Sequence, residues 1–383
     1  MRNLDSNAQL RLDGLYRHLC HRKRTYLGYP NSALLDNTNL SKFLDIAINN
    51  VGDPFLGNNG MHTCELEREV LAFFARILNI EESSMWGYIT NGGTESNTYG
   101  LFLGREAFPT GIVYYSEDTH YSVPKAVRLL NLRDAVIRSQ ENGEMDYEHL
   151  KSTLVTLRRY PAIINVNIGT TMKGAIDSVA KVLEALSSAG IQKYYIHCDA
   201  ALFGGMLPFM SGAPVFDFRL PIGSVAISGH KFLGSPIPCG ILIARKDLVE
   251  RVRGNVEYIG SHDSTLSGSR DGFSVLVLWQ TIQRYGVDGL RELVLKCMEE
   301  TQTTVNKLKK INWPAWSNSY SNIVVIKRPE EELIRKWQLA TEKLISHLIL
   351  MPGVTQEMID AFLDDLQSSR FSEERALKMA SKF

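Results

Sequence analysis

The sequence predicts an α/β fold: a mostly parallel sheet with helices on both faces, followed by a smaller C-terminal domain. Three observations carry that prediction. From about residue 65, short strand-like runs alternate with helical stretches, which is the pattern of βαβ units. After about residue 272 that alternation stops. A chain of 383 residues, 44% of them hydrophobic, is long enough for one large core and a smaller companion.

Taken in order, Leu12, Leu15, Tyr16 and Leu19 recur at helical spacing, so the first segment reads as an amphipathic helix that must dock somewhere. The stretch "CELEREVLAFFARIL" is helical, "SMWGYIT" is a short strand, and "GGTESNTYGLFLGREAF" is a glycine turn opening a second helix. Strand-like runs recur as "GIVYYS", "DAVIRS", "AIINVNIGTT", "KYYIHCDAA", "GSVAIS" and "CGILIAR". Beyond residue 272 the pattern predicts two long helical stretches, one strand pair around "WPAWSNSYSNIVVIKRP", and a terminal helix.

Composition narrows the function. Forty-two basic and forty-two acidic residues cancel, which excludes the global field expected of a nucleic-acid or anionic-lipid binder and suits a small neutral or zwitterionic substrate. Five cysteines (Cys20, Cys64, Cys198, Cys239, Cys297) lack metal-site spacing and suggest a reducing cytoplasm, with no metal expected. The charged N-terminus does not read as a secretory signal, and no apolar window reaches membrane-spanning length, so no membrane partner is expected.

In an open parallel sheet, ligands bind beyond the carboxyl ends of the strands, so the residues after each strand are the candidates. Asn91-Gly92-Gly93-Thr94-Glu95 follows "WGYIT"; its glycines let a backbone approach a ligand, and a helix N-terminus favours phosphate. Taken alone, the glycine pair also suits a tight strand-to-helix turn. No Gly-Lys-Ser/Thr follows, so this is not a Walker loop. Asp199 ends the strand "KYYIHCD", where a carboxylate needs a partner to stay ionised or else caps a helix. His197 and Asp199 as metal ligands would lack a third. Lys231 follows "GSVAIS", adjoins His230, and is framed by the glycines and prolines of "SGHKFLGSPIPCG". Such a lysine can serve as an amine nucleophile. A phosphate-cradling turn, a strand-end aspartate and a framed lysine, in that order, are the three fixings of pyridoxal 5′-phosphate.

The motifs "TNGGTESN", "DTHYSV", "NIGTTMKGAID", "HCDAALFGG" and "SGHKFLGSPIPCG" resemble those of the group II pyridoxal-phosphate-dependent amino acid decarboxylases, closest to the branch of bacterial histidine decarboxylases and plant serine decarboxylase. The resemblance runs from about residue 25 to about residue 366. It implies fold type I, a homodimer with active sites at the subunit interface, and α-decarboxylation of an L-amino acid. It implies three parts: an N-terminal segment of residues 1–55 with dimer and pocket contacts, a large cofactor domain of residues 56–271, and a small domain of residues 272–383.

Residue by residue, the resemblance makes Lys231 the covalent anchor of the cofactor, Asp199 the partner of its ring nitrogen, and His120 the histidine stacked on the ring. Gly93, Thr94, Ser228 and His230 match phosphate-binding positions, and Thr171 lies in the loop beneath the cofactor. Tyr258, in "GNVEYIGSHDSTLSGSRDG", matches a mobile-loop tyrosine that protonates Cα. Tyr29, Asn59 and His62 fall in substrate-pocket segments, and Asn59 stands where relatives often have an aromatic residue. The surrounding "GMHT" favours a small polar, serine-like substrate over histidine. Two alternatives remain: an aminotransferase, for which Arg328 is the candidate carboxylate clamp, and a catalytically silent regulatory paralogue.

Overall fold

The computed structural model describes residues 4–33, 36–56, 60–256 and 261–380. The first helix, α1 (Ser6–Lys23), is capped by Asp5, whose side chain accepts from the Ala8 N–H. It buries none of its residues: Leu12, Leu15, Tyr16 and Leu19 are each more than half exposed on this chain. The helix α2 (Cys64–Ile77) behaves oppositely and buries Val70, Leu71, Phe73 and Phe74 in the main core.

All seven expected strand runs form one sheet. They are β1 (Met85–Thr90), β2 (Ile112–Ser116), β3 (Arg133–Ile137), β4 (Ala162–Asn167), β5 (Tyr194–Asp199), β6 (Ser224–Ser228) and β7 (Gly240–Arg245). Their spatial order is β1-β7-β6-β5-β4-β2-β3. Six strands run the same way, and β7 is antiparallel to both of its neighbours. Between them lie the helices α3 (Gly93–Ala107) and α4 (Ser122–Leu129), then Tyr147–Thr156 and Val179–Ser188.

Both sheet faces are covered, because successive side chains of a strand point to opposite sides. Tyr114, Ile164, Ile241 and Ile243 pack with α2 and with Leu150 and Val182. Their neighbours Val113, Ile163, Leu242 and Ala244 pack with Tyr99 and Leu103 of α3 and Val123 and Val127 of α4. The fold is thus α/β with a mostly parallel sheet, as the alternation predicts.

The C-terminal part matches two of its expected features and extends a third. Phe273–Lys310 is helical on either side of Gly286, whose φ of 55° and ψ of −165° break it into two stretches. A terminal helix follows at Gln356–Ala380. The expected strand pair, Ala315–Trp316 with Ile323–Lys327, is instead half of a four-stranded sheet completed by Ala340–Glu342 and Ile345–Ile349. That second hairpin turns on Lys343 and Leu344, with Lys343 at φ 50°, so the usual Gly, Asn or Asp signal is missing. Leu27 packs into the core of this sheet, and Leu27 O accepts from the Ile349 N–H.

Candidate active site

Thr90, Asn167, Asp199 and Ser228 end parallel strands at one edge of the sheet, and the candidate residues converge there. The turn from β1 to α3 is built by its own sequence. Gly92 has a φ of 147°, open to glycine but rarely to other residues. Glu95 folds back to accept from the Asn91 backbone and side-chain N–H groups, both at 3.0 Å, while the Tyr88 hydroxyl donates to its other oxygen at 2.9 Å. The helix N-terminus has no side-chain cap, so its first N–H groups have no partner within the helix. The Ser228 hydroxyl lies so close to this terminus that a Cβ on Gly93 would come within 2.6 Å of it.

Lys231 sits in a chain of tight turns. The Gly229 N–H donates to Cys239 O, Ser235 N–H to Gly229 O, and Gly234 N–H to Lys231 O. Phe232 and Leu233, directly after the lysine, are buried in the main core and anchor the backbone that follows it. Burial lowers the Lys231 pKa, and Asp199 opposes that shift. The His230 Nδ1–H donates to Cys239 O at 2.8 Å; burial lowers its pKa, and Lys231 lowers it further.

Asp199 is buried, with Oδ2 accepting from Asn97 Nδ2 at 2.8 Å and Oδ1 from the Ala201 N–H at 3.2 Å. His120 Nδ1 lies 2.8 Å from Ser122 Oγ. Burial lowers the His120 pKa; Asp199 raises it and Lys231 lowers it. Lys231, Asp199 and His120 are thus near enough to act electrostatically on one another, as three groups around one ligand must be.

The other candidates stand as follows. Thr94 is exposed in the first turn of α3, and Thr171 is exposed on the turn after β4. Tyr29 is 47% exposed and stacks on Tyr26 at 5.6 Å, and His62 is half-buried with Nδ1 accepting from the Cys64 N–H at 3.3 Å. Asn59 and Tyr258 lie outside the described residues. Arg328 pairs with Glu331 on the surface and also donates to Lys343 O, so its guanidinium is already engaged away from the strand ends.

Several residues escaped the sequence reading. Asn97 and Ser122 link Asp199 to His120, and both are buried. His197, already weighed as a metal ligand, uses Nδ1 with Ser224 and Nε2 with Asn97, so both ring nitrogens are committed to hydrogen bonds. A buried pair, Glu67 with Arg270, ties two more segments to β1: Glu67 accepts from the Ile89 N–H at 2.7 Å, and Arg270 donates to Ile89 O and Gly52 O at 3.1 Å. The signal for Asn97 was present: it is a polar residue one helical turn after Gly93, on the face of α3 turned to the sheet.

The family model described as the pyridoxal-dependent decarboxylase conserved domain matches residues 42–313. The chain belongs to the pyridoxal-dependent decarboxylases. It is 45% identical over 360 residues to serine decarboxylase 2 of Oryza sativa subsp. japonica, covering 93% of this chain and 77% of that protein. It is 40% identical over 366 residues to histidine decarboxylase of Mesorhizobium japonicum, covering 95% and 99% of the two chains. L-methionine decarboxylase from Streptomyces sp.590, solved with L-methionine methyl ester, superposes with a TM-score of 0.90 at 25% identity, covering 96% of this chain and 95% of that one.

This pyridoxal-dependent decarboxylase acts on an amino acid with pyridoxal 5′-phosphate as cofactor. The residues present fit that group. An uncapped helix N-terminus with a serine hydroxyl against it suits the phosphate, a buried carboxylate suits the ring nitrogen, and a lysine with lowered pKa suits the aldehyde. Among the described residues no helix is long and apolar enough to cross a membrane.

Proposed function

We propose that this chain removes the α-carboxylate of a small polar L-amino acid of the serine type. The observation that carries the reading is the electrostatic convergence of Lys231, Asp199 and His120 in a chain 45% identical to an enzyme named serine decarboxylase. Histidine is the second reading, supported by the relatives named histidine decarboxylase at 40–41% identity.

When bound, pyridoxal phosphate supplies an aldehyde for the substrate amine and a ring that accepts the electron pair left by departing carbon dioxide. Lys231 is the amine that anchors the aldehyde, and its lowered pKa keeps it available as a nucleophile. Asp199 would hold a proton on the ring nitrogen and so strengthen the ring as an electron acceptor. His120 would contact the ring and the substrate carboxylate. Gly93, Thr94, Ser228 and His230 would hold the phosphate, and Thr171 would lie in the loop against the cofactor. Tyr258 delivers the proton to Cα, and Tyr29, Asn59 and His62 shape the substrate pocket.

We infer further that residues 1–55, 56–271 and 272–383 act as a dimer-contact segment, a large domain and a small domain. The working form is a cytoplasmic homodimer with its sites at the interface. The exposed apolar residues of α1 support a second copy as their cover. Against aminotransfer stands the engagement of Arg328 with Glu331. A silent paralogue would show no cofactor absorbance in the purified protein.

Carbon dioxide release measured across the standard amino acids tests the reading. Serine with the highest kcat/KM is the expected result. Histidine ahead of serine establishes the second reading, and release from neither overturns both.

A further inference from the structure

The Asn97 carboxamide touches three groups of the site, and the chemistry of one of them dictates the rest. Asp199 Oδ2 accepts a hydrogen bond, so the Asn97 atom facing it at 2.8 Å is Nδ2. The second hydrogen on that nitrogen is donated to Ser122 Oγ at 3.0 Å. Flipping the amide would set Oδ1 against the carboxylate, a buried contact between two acceptors. Oδ1 is therefore the atom turned to His197 Nε2 at 3.1 Å, and that nitrogen carries the proton.

Two hydrogen-bond chains follow from this orientation. On one side His197 Nδ1 is bare and accepts from the Ser224 hydroxyl at 2.7 Å, and Ser224 accepts from the Tyr195 hydroxyl at 2.6 Å. On the other side Ser122 Oγ, already accepting from Asn97, turns its own hydrogen to His120 Nδ1 at 2.8 Å. The Ser122 backbone N–H points to the same nitrogen at 3.2 Å. Asn97, Asp199, Ser122 and His197 are buried, so water does not compete for these bonds.

We propose that Asn97 is the positioning residue of this site: its carboxamide passes one hydrogen-bond direction from Asp199 to both histidines and leaves neutral His120 with its proton on Nε2. The significance rests on the roles proposed above for Asp199 and His120. With the proton on Nε2, His120 presents an N–H donor on the side of its ring away from Ser122. The same amide holds the Asp199 carboxylate in place, so the two cofactor-facing groups are set by one side chain. Burial also pushes the His197 pKa down to about 4, which keeps that imidazole neutral and the chain of donors intact at neutral pH.

The test locates the protons. The full-length protein, loaded with pyridoxal phosphate and labelled with ¹⁵N-histidine, reports each ring nitrogen as protonated or bare. Nine histidines make the spectrum tractable, and His120→Gln and His197→Gln assign the two that matter. In the parent protein both rings are expected as the Nε2–H tautomer. Asn97→Leu, close in size but unable to hydrogen-bond, should turn His120 into a mixture of tautomers and weaken cofactor binding about tenfold, the equivalent of one buried hydrogen bond. If that variant fails to fold, Ser122→Ala cuts only the branch to His120. It removes the hydroxyl but keeps the backbone N–H on Nδ1, so it should move the His120 signals partway toward the other tautomer and leave those of His197 unchanged.

His120 protonated on Nδ1 in the parent protein, or His120 signals unmoved by either variant, would overturn the proposal. The tautomer readout is independent of turnover. A wrong assignment of the cofactor roles would appear separately, as cofactor capture that survives Lys231→Ala.

Discussion

The imidazole of His197 lies directly on the backbone of Gly100: a Cβ at position 100 would stand 2.2 Å from Nδ1. The histidine reaches Asn97 only because α3 has no side chain at that point. Gly100→Ala is expected to push the ring out of its two hydrogen bonds and to cost about 1–3 kcal/mol, the usual range for overpacking a core. Urea denaturation with the cofactor removed measures it, and an unchanged midpoint would show that the ring has room to move.

His197 also makes a pH prediction. Its pKa is lowered to about 4 by burial, against about 6.5 in an unfolded chain. Between those values the unfolded state binds the proton and the folded state does not. Stability from this residue is therefore complete above about pH 6.5 and is lost as the pH falls toward 4, with a slope of at most about 1.4 kcal/mol per pH unit. Asp177, buried and raised to about 7, acts in the opposite direction over the same range. The difference between parent and His197→Gln stability curves isolates the histidine. It should shrink on acidification; a difference independent of pH would refute the linkage.

Lys231→Ala should abolish the borohydride-reducible link between cofactor and chain while the fold survives. Lys173 is the instructive competitor. It is held in an ion pair with Asp118 at 3.2 Å and is expected to stay unlabelled. Peptide mapping that finds the cofactor on Lys173 would sink the assignment of Lys231.

Asp199→Asn should still bind cofactor but lose most turnover, on the order of a hundredfold or more, because an amide cannot hold a proton on the ring nitrogen as a carboxylate does. Single-turnover rates with the preferred substrate decide the matter. Near-normal rates would remove Asp199 from the chemistry.

The dimer prediction concerns Tyr258. If it serves the site of the partner subunit, Lys231→Ala and Tyr258→Phe are each inactive alone. Mixed dimers would then carry one site with both defects and one with neither, so activity should reappear when subunits exchange. A mixture that stays inactive after exchange is verified places Tyr258 in its own subunit's site or outside the reaction.

Much of this protein was legible before any coordinates. Six of the seven strands were readable as short apolar runs bounded by turn residues, the composition that burial in a covered sheet demands, while the edge strand β3 (Arg133–Ile137) is mostly exposed and carries two charges. Asp199 and Lys231 were readable because strand ends mark the ligand edge of such a sheet, and a charged residue there stands out against its apolar neighbours. The hairpin Ala340–Ile349 was not, since its turn residues Lys343 and Leu344 resemble an exposed helix as much as a turn.

The sequence by itself determined which segments form the strands and helices of the large sheet, where the candidate residues at the strand ends stand along the chain, and the family to which the motifs point. Such features follow from local periodicity and from residue types whose chemistry is unusual in their surroundings. Only the tertiary structure decided that Asn97 meets Asp199 across 102 residues, that His197 rests on Gly100, and that Glu67 joins Arg270 across 203. A polar residue or a glycine on the sheet-facing side of a helix carries no local sign of which distant partner it will meet. Its role arises when sheet order brings distant strand ends within about 3 Å, the distance at which hydrogen-bond direction is set.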